Sequence, residues 1–237
     1  MKLYGLIGYP LVQSFSQQYF RNKFAKNNIT DTDYLTFPIE QVNLLPTLLI
    51  NNPNLKGLNV TIPYKEQVLN LVTELSDEVK NIGATNSIKI IGERLIAYNT
   101  DIIGFEQSFC KMLQQSHKKA LVLGTGGASK AVQYVLRKLE MDFLVATRNE
   151  NLKAGYINYN MIDEQIMKEF LVIINCTPIG MSVVSRITFS LVRAALAQGG
   201  SSNSAAVPNC SLSASISVSS LARRPRVNSG TCEAKCG

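Results

Sequence analysis

Nowhere does the chain reach the run of about 18 apolar residues that a membrane-spanning helix requires. Its opening, MKLYGLIGYP, is too short and too interrupted by Gly and Pro to form the apolar core of a secretory signal, so cytoplasm is the expected location. Histidine occurs once, at His117, far in sequence from the irregularly spaced Cys210, Cys232 and Cys236. No zinc ligand set is spelled out, and no metal is expected. Cys110 and Cys176 stand alone in apolar surroundings and read as small buried hydrophobes. A broad polyanion-binding surface is missing too. The net charge is +7, but residues 182–237 hold six Lys/Arg and one acid, which leaves 18 basic against 16 acidic residues before them. The excess belongs to the tail, where Arg223, Arg224 and Arg226 cluster without an aromatic to stack on bases, so no nucleic-acid partner is expected.

What is present suits one large or two modest α/β domains, with 46% apolar residues in 237. LYGLIG (3–8) reads as a short buried strand. Ser16 is placed to cap the helix after it, with Tyr19, Phe20, Phe24 and Ala25 near helical spacing. YLTFPI is a second strand, 40–51 a helix, LKGLNVTI a third strand and 64–73 a helix with Pro63 at its mouth. NSIKIIGERLIAY suits a hairpin about Gly92-Glu93. A helix from Thr100 or Asp101 to about Gln115 then introduces a clean alternation: KALVLG strand, GASKAVQYVLRKL helix, DFLVATR strand, a helix around 161–170, FLVIINC strand. That is the pattern of a parallel, doubly wound sheet. Past Met181 the rhythm stops. Residues 182–237 contain 13 serines and one aromatic, Phe189, and apart from a short helix at SLVRAALA they read as an irregular, flexible or foreign segment.

LVLGTGGASKA joins a buried strand to a helix through Gly124, Gly126 and Gly127, with Ala128 and Ser129 opening the helix. Glycines there let backbone N–H groups approach a pyrophosphate at the helix N-terminus. A glycine trio alone is weak, but a strand before it and a strand after the helix give it the context of a dinucleotide site. The end of that second strand selects the dinucleotide. An NAD site expects Asp or Glu; this chain offers Thr147, Arg148 and Asn149, with Lys153 close behind. A guanidinium suits a 2′-phosphate, so NADP is favoured, the alternative being a solvated surface arginine.

Candidates to handle substrate lie upstream: Ser14 and Ser16 in QSFSQ, Asn59, Thr61 and Lys65 in NVTIPYKEQ, Asn86 in GATNS and Asp101 in YNTD. Each has an ordinary role open to it: Ser16 and Asp101 as caps, Thr61 as a strand residue, Lys65 as a surface lysine, Asn86 as a turn residue. Together, GYPLVQSFS, NVTIPYKE, GATNSI, NTDIIG, GTGGASKA and INCTPIGM occur in an order that resembles the shikimate dehydrogenase family over residues 1–181. The resemblance implies NADPH-dependent, reversible reduction of 3-dehydroshikimate to shikimate, on the path to chorismate and the aromatic amino acids. It implies that Ser14 and Ser16 hold the substrate carboxylate and that Thr61, Asn86 and Asp101 bind ring hydroxyls. Lys65 is the implied catalytic residue with Asp101 as its partner. Gly124, Gly126, Gly127, Ala128 and Ser129 match the cofactor loop, and Thr147, Arg148 and Lys153 the clamp on the 2′-phosphate. The expected architecture is an N-terminal α/β substrate domain, 1–100, and a Rossmann-like NADP-binding domain, 101–181, the latter truncated and followed by the tail. A monomer or homodimer acting on a small molecule, with no membrane or nucleic-acid partner, is the expected assembly.

The chain departs from the family at three places. Gln13 stands where a histidine is usual and Gln17 where proline often follows, but both hydroxyls remain. After INCTPIGM the family continues with further strands, a tyrosine-bearing segment near the nicotinamide and a late glutamine-bearing helix, and 182–237 offers no match. An unfinished sheet with an exposed edge, and weak or absent turnover, are therefore expected. Other readings are a quinate/shikimate-type relative with broader substrate or cofactor use, and a catalytically dead binding remnant. Methylenetetrahydrofolate dehydrogenase also joins a lysine-bearing domain to a nucleotide domain, but the SxS and NTD motifs favour shikimate.

Overall fold

Strand positions in this chain carry β-branched and aromatic residues that pack on a pleated surface, and the computed structural model pairs them into two sheets. It describes residues 1–11 and 15–179, together with the backbone of strands at 202–205 and 215–219. The chain divides into two compact units, Met1–Thr100 and Asp101–Gly237.

The first unit runs β1 (Lys2–Gly8), α1 (Ser16–Lys26), β2 (Thr32–Pro38), α2 (Leu45–Asn51), β3 (Leu55–Val60), β4 (Glu74–Leu75), α3 (Asp77–Ile82), β5 (Ser87–Ile91) and β6 (Arg94–Tyr98). Its strand order is β2-β1-β3-β5-β6-β4. β1 is parallel to β2 and β3, while β3–β5 and β5–β6 are antiparallel. The hairpin expected at Gly92 forms, with that glycine at φ 58°. Leu3, Ile7, Leu45, Leu55, Val60, Tyr64, Val68 and Ile88 make up much of the core.

Three expected elements come out differently. The helix expected over 40–51 is a 3-10 turn at Val42–Leu44 followed by α2, because Pro46 lacks an N–H and belongs in a helical first turn. The helix expected over 64–73 shrinks to a 3-10 segment, Gln67–Leu71. Pro63 lies within a turn closed by Tyr64 N–H to the Thr61 carbonyl at 2.9 Å. At the other end, Thr73 is claimed by the sheet, its N–H donating to the Leu95 carbonyl at 2.9 Å. Ser16 does not cap α1: Phe15 holds the cap position, and no side chain caps it. β4 and α3 were not expected from the sequence, although Ser76 caps α3 by accepting from Val79 N–H.

The second unit begins with α4 (Asp101–Cys110) and continues β7 (Lys119–Leu123), α5 (Gly127–Lys138), β8 (Asp142–Thr147), β9 (Tyr156–Asn158), α6 (Glu164–Glu169), β10 (Val172–Asn175), β11 (Ser202–Ala205) and β12 (Ser215–Ser219). Its order is β11-β12-β10-β7-β8-β9, with β10, β7, β8 and β9 parallel. This is the expected doubly wound arrangement. α5 buries Ala128, Ala131, Val132, Val135 and Leu136 at helical spacing and ends on Arg137 and Lys138, which complement its dipole. The expected open edge of β10 is occupied instead. Ser215–Ser219 pairs antiparallel along it, because backbone pairing needs no particular side chain and SISVS alternates with the period of a strand. The helix expected at SLVRAALA lies outside the described residues, as does the rest of 182–237 apart from β11 and β12. Among the described residues no helix is long and apolar enough to cross a membrane.

Gly5 sits in mid-β1 where there is no room for a side chain. A Cβ there would fall 2.8 Å from the Leu35 carbonyl oxygen and collide with the Phe37 ring. Gly5→Ala is expected to lower unfolding stability by about 1–3 kcal/mol, the usual cost of overpacking, measured by urea denaturation.

Candidate active site

The strand-to-turn junction after β3 places the upstream candidates. Thr61 follows Val60 at the C-terminal end of the strand, and its N–H donates to the Ile7 carbonyl at 3.0 Å. The chain then turns through Ile62–Pro63, a cis peptide, and presents Lys65 with only 6% of its surface exposed. Lys65 is therefore not the surface lysine that its sequence context allowed. Its carbonyl accepts from Thr85 N–H at 2.7 Å, which fastens this turn to the GATN segment.

Asn86, 1% exposed, is bound on every side. Its carbonyl accepts from Val60 N–H at 2.9 Å and from Asn59 Nδ2 at 3.4 Å. Its own Nδ2 donates to Thr100 Oγ1 at 2.9 Å, and its Oδ1 accepts from Thr100 N–H at 2.8 Å. Thr100 thus holds the Asn86 carboxamide, a role the sequence did not single out. Asp101, the next residue, opens α4 and is fully buried. Ser16 is half-buried and hydrogen-bonds through its hydroxyl to Tyr34, whose phenol donates to Asn59 Oδ1 at 2.8 Å. Ser14 lies outside the described residues. The first unit therefore gathers Ser16, Asn59 and Asn86 into one hydrogen-bonded series and ties Lys65 to it through Thr85.

In the second unit, Gly124 adopts φ 99°, a left-handed backbone that glycine tolerates, directly after β7. Its N–H donates to the Ala146 carbonyl at 3.0 Å. Gly126 caps α5 in extended geometry with no side chain on the helix's first N–H groups, and a Cβ added there would meet nothing within 4 Å. The helix mouth is thus open to an anion. Gly127 and Ala128 form its first turn. Ser129 is fully buried, and its hydroxyl accepts from Gln133 Nε2 at 3.0 Å, so it faces the helix packing. At the end of β8, Thr147 is 6% exposed and its Oγ1 accepts from Asn149 N–H at 3.2 Å. Arg148 and Lys153 are exposed. Arg148 also lies near Tyr159, whose phenol burial pushes above its ordinary range while the guanidinium pulls it back. With the first carboxylate only at Glu150, the donors here fit a phosphorylated ribose better than a free diol. Among the described residues no group of three or more His, Cys, Asp or Glu is placed to hold a metal ion.

A profile of the shikimate dehydrogenase substrate binding domain matches residues 6–88. The NADP(+)-dependent shikimate dehydrogenase of Clostridium botulinum is 35% identical over 184 residues, covering 74% of this chain and 71% of that protein. The chain belongs to the shikimate dehydrogenase family. The Syntrophomonas wolfei shikimate dehydrogenase is 34% identical and spans 76% of this chain and 68% of its own length. Among solved structures, shikimate dehydrogenase 1 of Peptoclostridium difficile superposes with a TM-score of 0.64 at 34% identity, covering 77% of this chain and 68% of that one. The Thermus thermophilus enzyme in complex with NADP(H) and shikimate reaches a TM-score of 0.57 at 28% identity, covering 63% and 57%.

Because Thr100 supplies the hydroxyl partner of a buried carboxamide, Thr100→Val in this shikimate dehydrogenase homologue is expected to cost about 1–3 kcal/mol of stability. Thermal unfolding beside the parent chain measures it, and an unchanged midpoint would show that Asn86 is held by its other contacts.

Proposed function

We propose that this chain reduces 3-dehydroshikimate reversibly to shikimate with NADPH, in chorismate and aromatic amino-acid biosynthesis. Residues 1–100 act as the substrate and catalytic domain and 101–181 as the cofactor domain. The observation that carries the reading is Lys65, an amine buried at a strand-to-turn junction and fastened through Thr85 to an immobilised Asn86.

NADPH, held by the glycine loop and the end of β8, would supply the hydride when bound. Negative charge then grows on the former carbonyl oxygen, and the Lys65 ammonium stabilises it and delivers the proton that completes the alcohol. Lys65 is reprotonated from solvent, and the reverse reaction uses it as the base. Asp101 supplies the carboxylate that orients the ammonium. Ser14 and Ser16 hold the substrate carboxylate, and Thr61, Asn86 and Asp101 the ring hydroxyls. Gly124, Gly126, Gly127, Ala128 and Ser129 form the pyrophosphate cradle, in which Ser129 contributes backbone because its hydroxyl is engaged by Gln133. Arg148, with Thr147 and Lys153, receives the 2′-phosphate. The partner is a small molecule and the assembly a monomer or homodimer.

Lys65→Ala is expected to lower the rate of NADPH consumption with 3-dehydroshikimate by about 10²- to 10⁴-fold, followed by absorbance. A variant as fast as its parent refutes the role. Arg148→Ala is expected to weaken NADPH binding about tenfold or more through loss of charge-assisted bonds, and to leave NADH binding unchanged, measured by fluorescence titration. Equal loss for both nucleotides would assign Arg148 elsewhere.

A further inference from the structure

Tyr34 has no assigned part in the site, yet its hydroxyl stands between Ser16 and Asn59, the residue that leads on to Asn86. It lies on β2 opposite Tyr4 of β1, while Asn59 lies on β3 opposite Leu6. The phenol therefore reaches diagonally across β1, spanning two strand spacings or about 9–10 Å of sheet, to donate to Asn59 Oδ1 at 2.8 Å. Its ring stacks on Phe20 of α1, with centroids 4.5 Å apart and planes inclined by 13°. Ser16 precedes Phe20 by four residues, one helical turn, and so lies on the same face of α1. The stack that clamps the ring consequently brings the Ser16 hydroxyl onto the Tyr34 oxygen.

Packing alone does not account for this hydroxyl. Tyr34 is 2% exposed, and a phenylalanine would fill the same volume without a polar group to satisfy. Burial pushes the phenol well above its ordinary range, so the oxygen stays protonated and remains a donor. Its bond to Asn59 turns that carboxamide so that Nδ2 leads to the Asn86 carbonyl.

We infer that Tyr34 is a positioning residue of the substrate site: by donating to Asn59 and lying against the Ser16 hydroxyl, which turns its single proton to the carboxylate when substrate binds, it sets the separation between the carboxylate-holding end and the hydroxyl-holding end. This rests on the proposed function, which makes Ser16 and Asn86 substrate groups. The ligand it serves is a hydroxylated cyclic carboxylate, in which a carboxylate and ring hydroxyls must be met at once at a set distance.

The test is calorimetric titration of the full chain with shikimate and, separately, with NADPH. Tyr34→Phe keeps the stack and removes the hydroxyl. It is expected to weaken shikimate binding about three- to tenfold, the worth of one or two hydrogen bonds, and to leave NADPH binding within about twofold. Combined with Asn59→Ala, the loss is expected to be smaller than the product of the two single losses, because Tyr34 acts partly through Asn59. Phe20→Leu, which keeps the phenol and loosens its ring, gives the same selective loss at smaller size. Unchanged shikimate affinity in Tyr34→Phe, equal weakening toward NADPH, or full multiplicativity with Asn59→Ala overturns the positioning role. A parent chain that binds NADPH but not shikimate instead overturns the substrate-site reading, and this inference falls with it.

Discussion

The hydrogen bond from Thr85 N–H to the Lys65 carbonyl, 2.7 Å long, is the constraint around which the first unit's site is arranged. It joins the turn after β3 to the segment before β5, two stretches about twenty residues apart whose strands are neighbours in the sheet. With it in place, the Asn86 carbonyl meets Val60 N–H and the Asn86 carboxamide meets Thr100. Buried polar groups cost stability unless paired, so each bond selects the next.

The same logic explains why polar candidates do not behave as independent surface residues. Ser16, Asn59 and Asn86 are linked through Tyr34 and through one another's backbone, in a series that crosses α1, β2, β3 and the approach to β5. Such networks are rigid when complete and expensive when broken. The second unit solves a different problem with less side-chain chemistry. Gly124 and Gly126 keep the loop free of side chains, and α5 offers unclaimed N–H groups at its mouth. At the end of β8, Arg148 stands exposed.

Elements with strong local signals were legible: LYGLIG, the Gly92 hairpin, the KALVLG–GASKA junction and the alternation that makes the second sheet. Elements decided by partners were not. β4 and β9 are two and three residues long and exist because β6 and β8 offer them edges. The helix expected after Pro63 failed because Thr73 has a better partner in Leu95. β12 was missed because a serine-rich composition masked its two-residue period.

By itself the sequence determined the chemistry on offer: which residues could form a glycine-lined anion cradle, a basic clamp and a Lys-Asn-Asp set, and in what order they occur along the chain. Those follow from local pattern and residue type. Only the tertiary structure decided which of them are buried, which are tied together, and that Ser16 bonds Tyr34 rather than its own helix. The reason is physical. A side chain's hydrogen-bond partner is set by what packs across the sheet and against it, and residues as far apart as Tyr34 and Asn59 become neighbours only once β1 has brought their strands to either side.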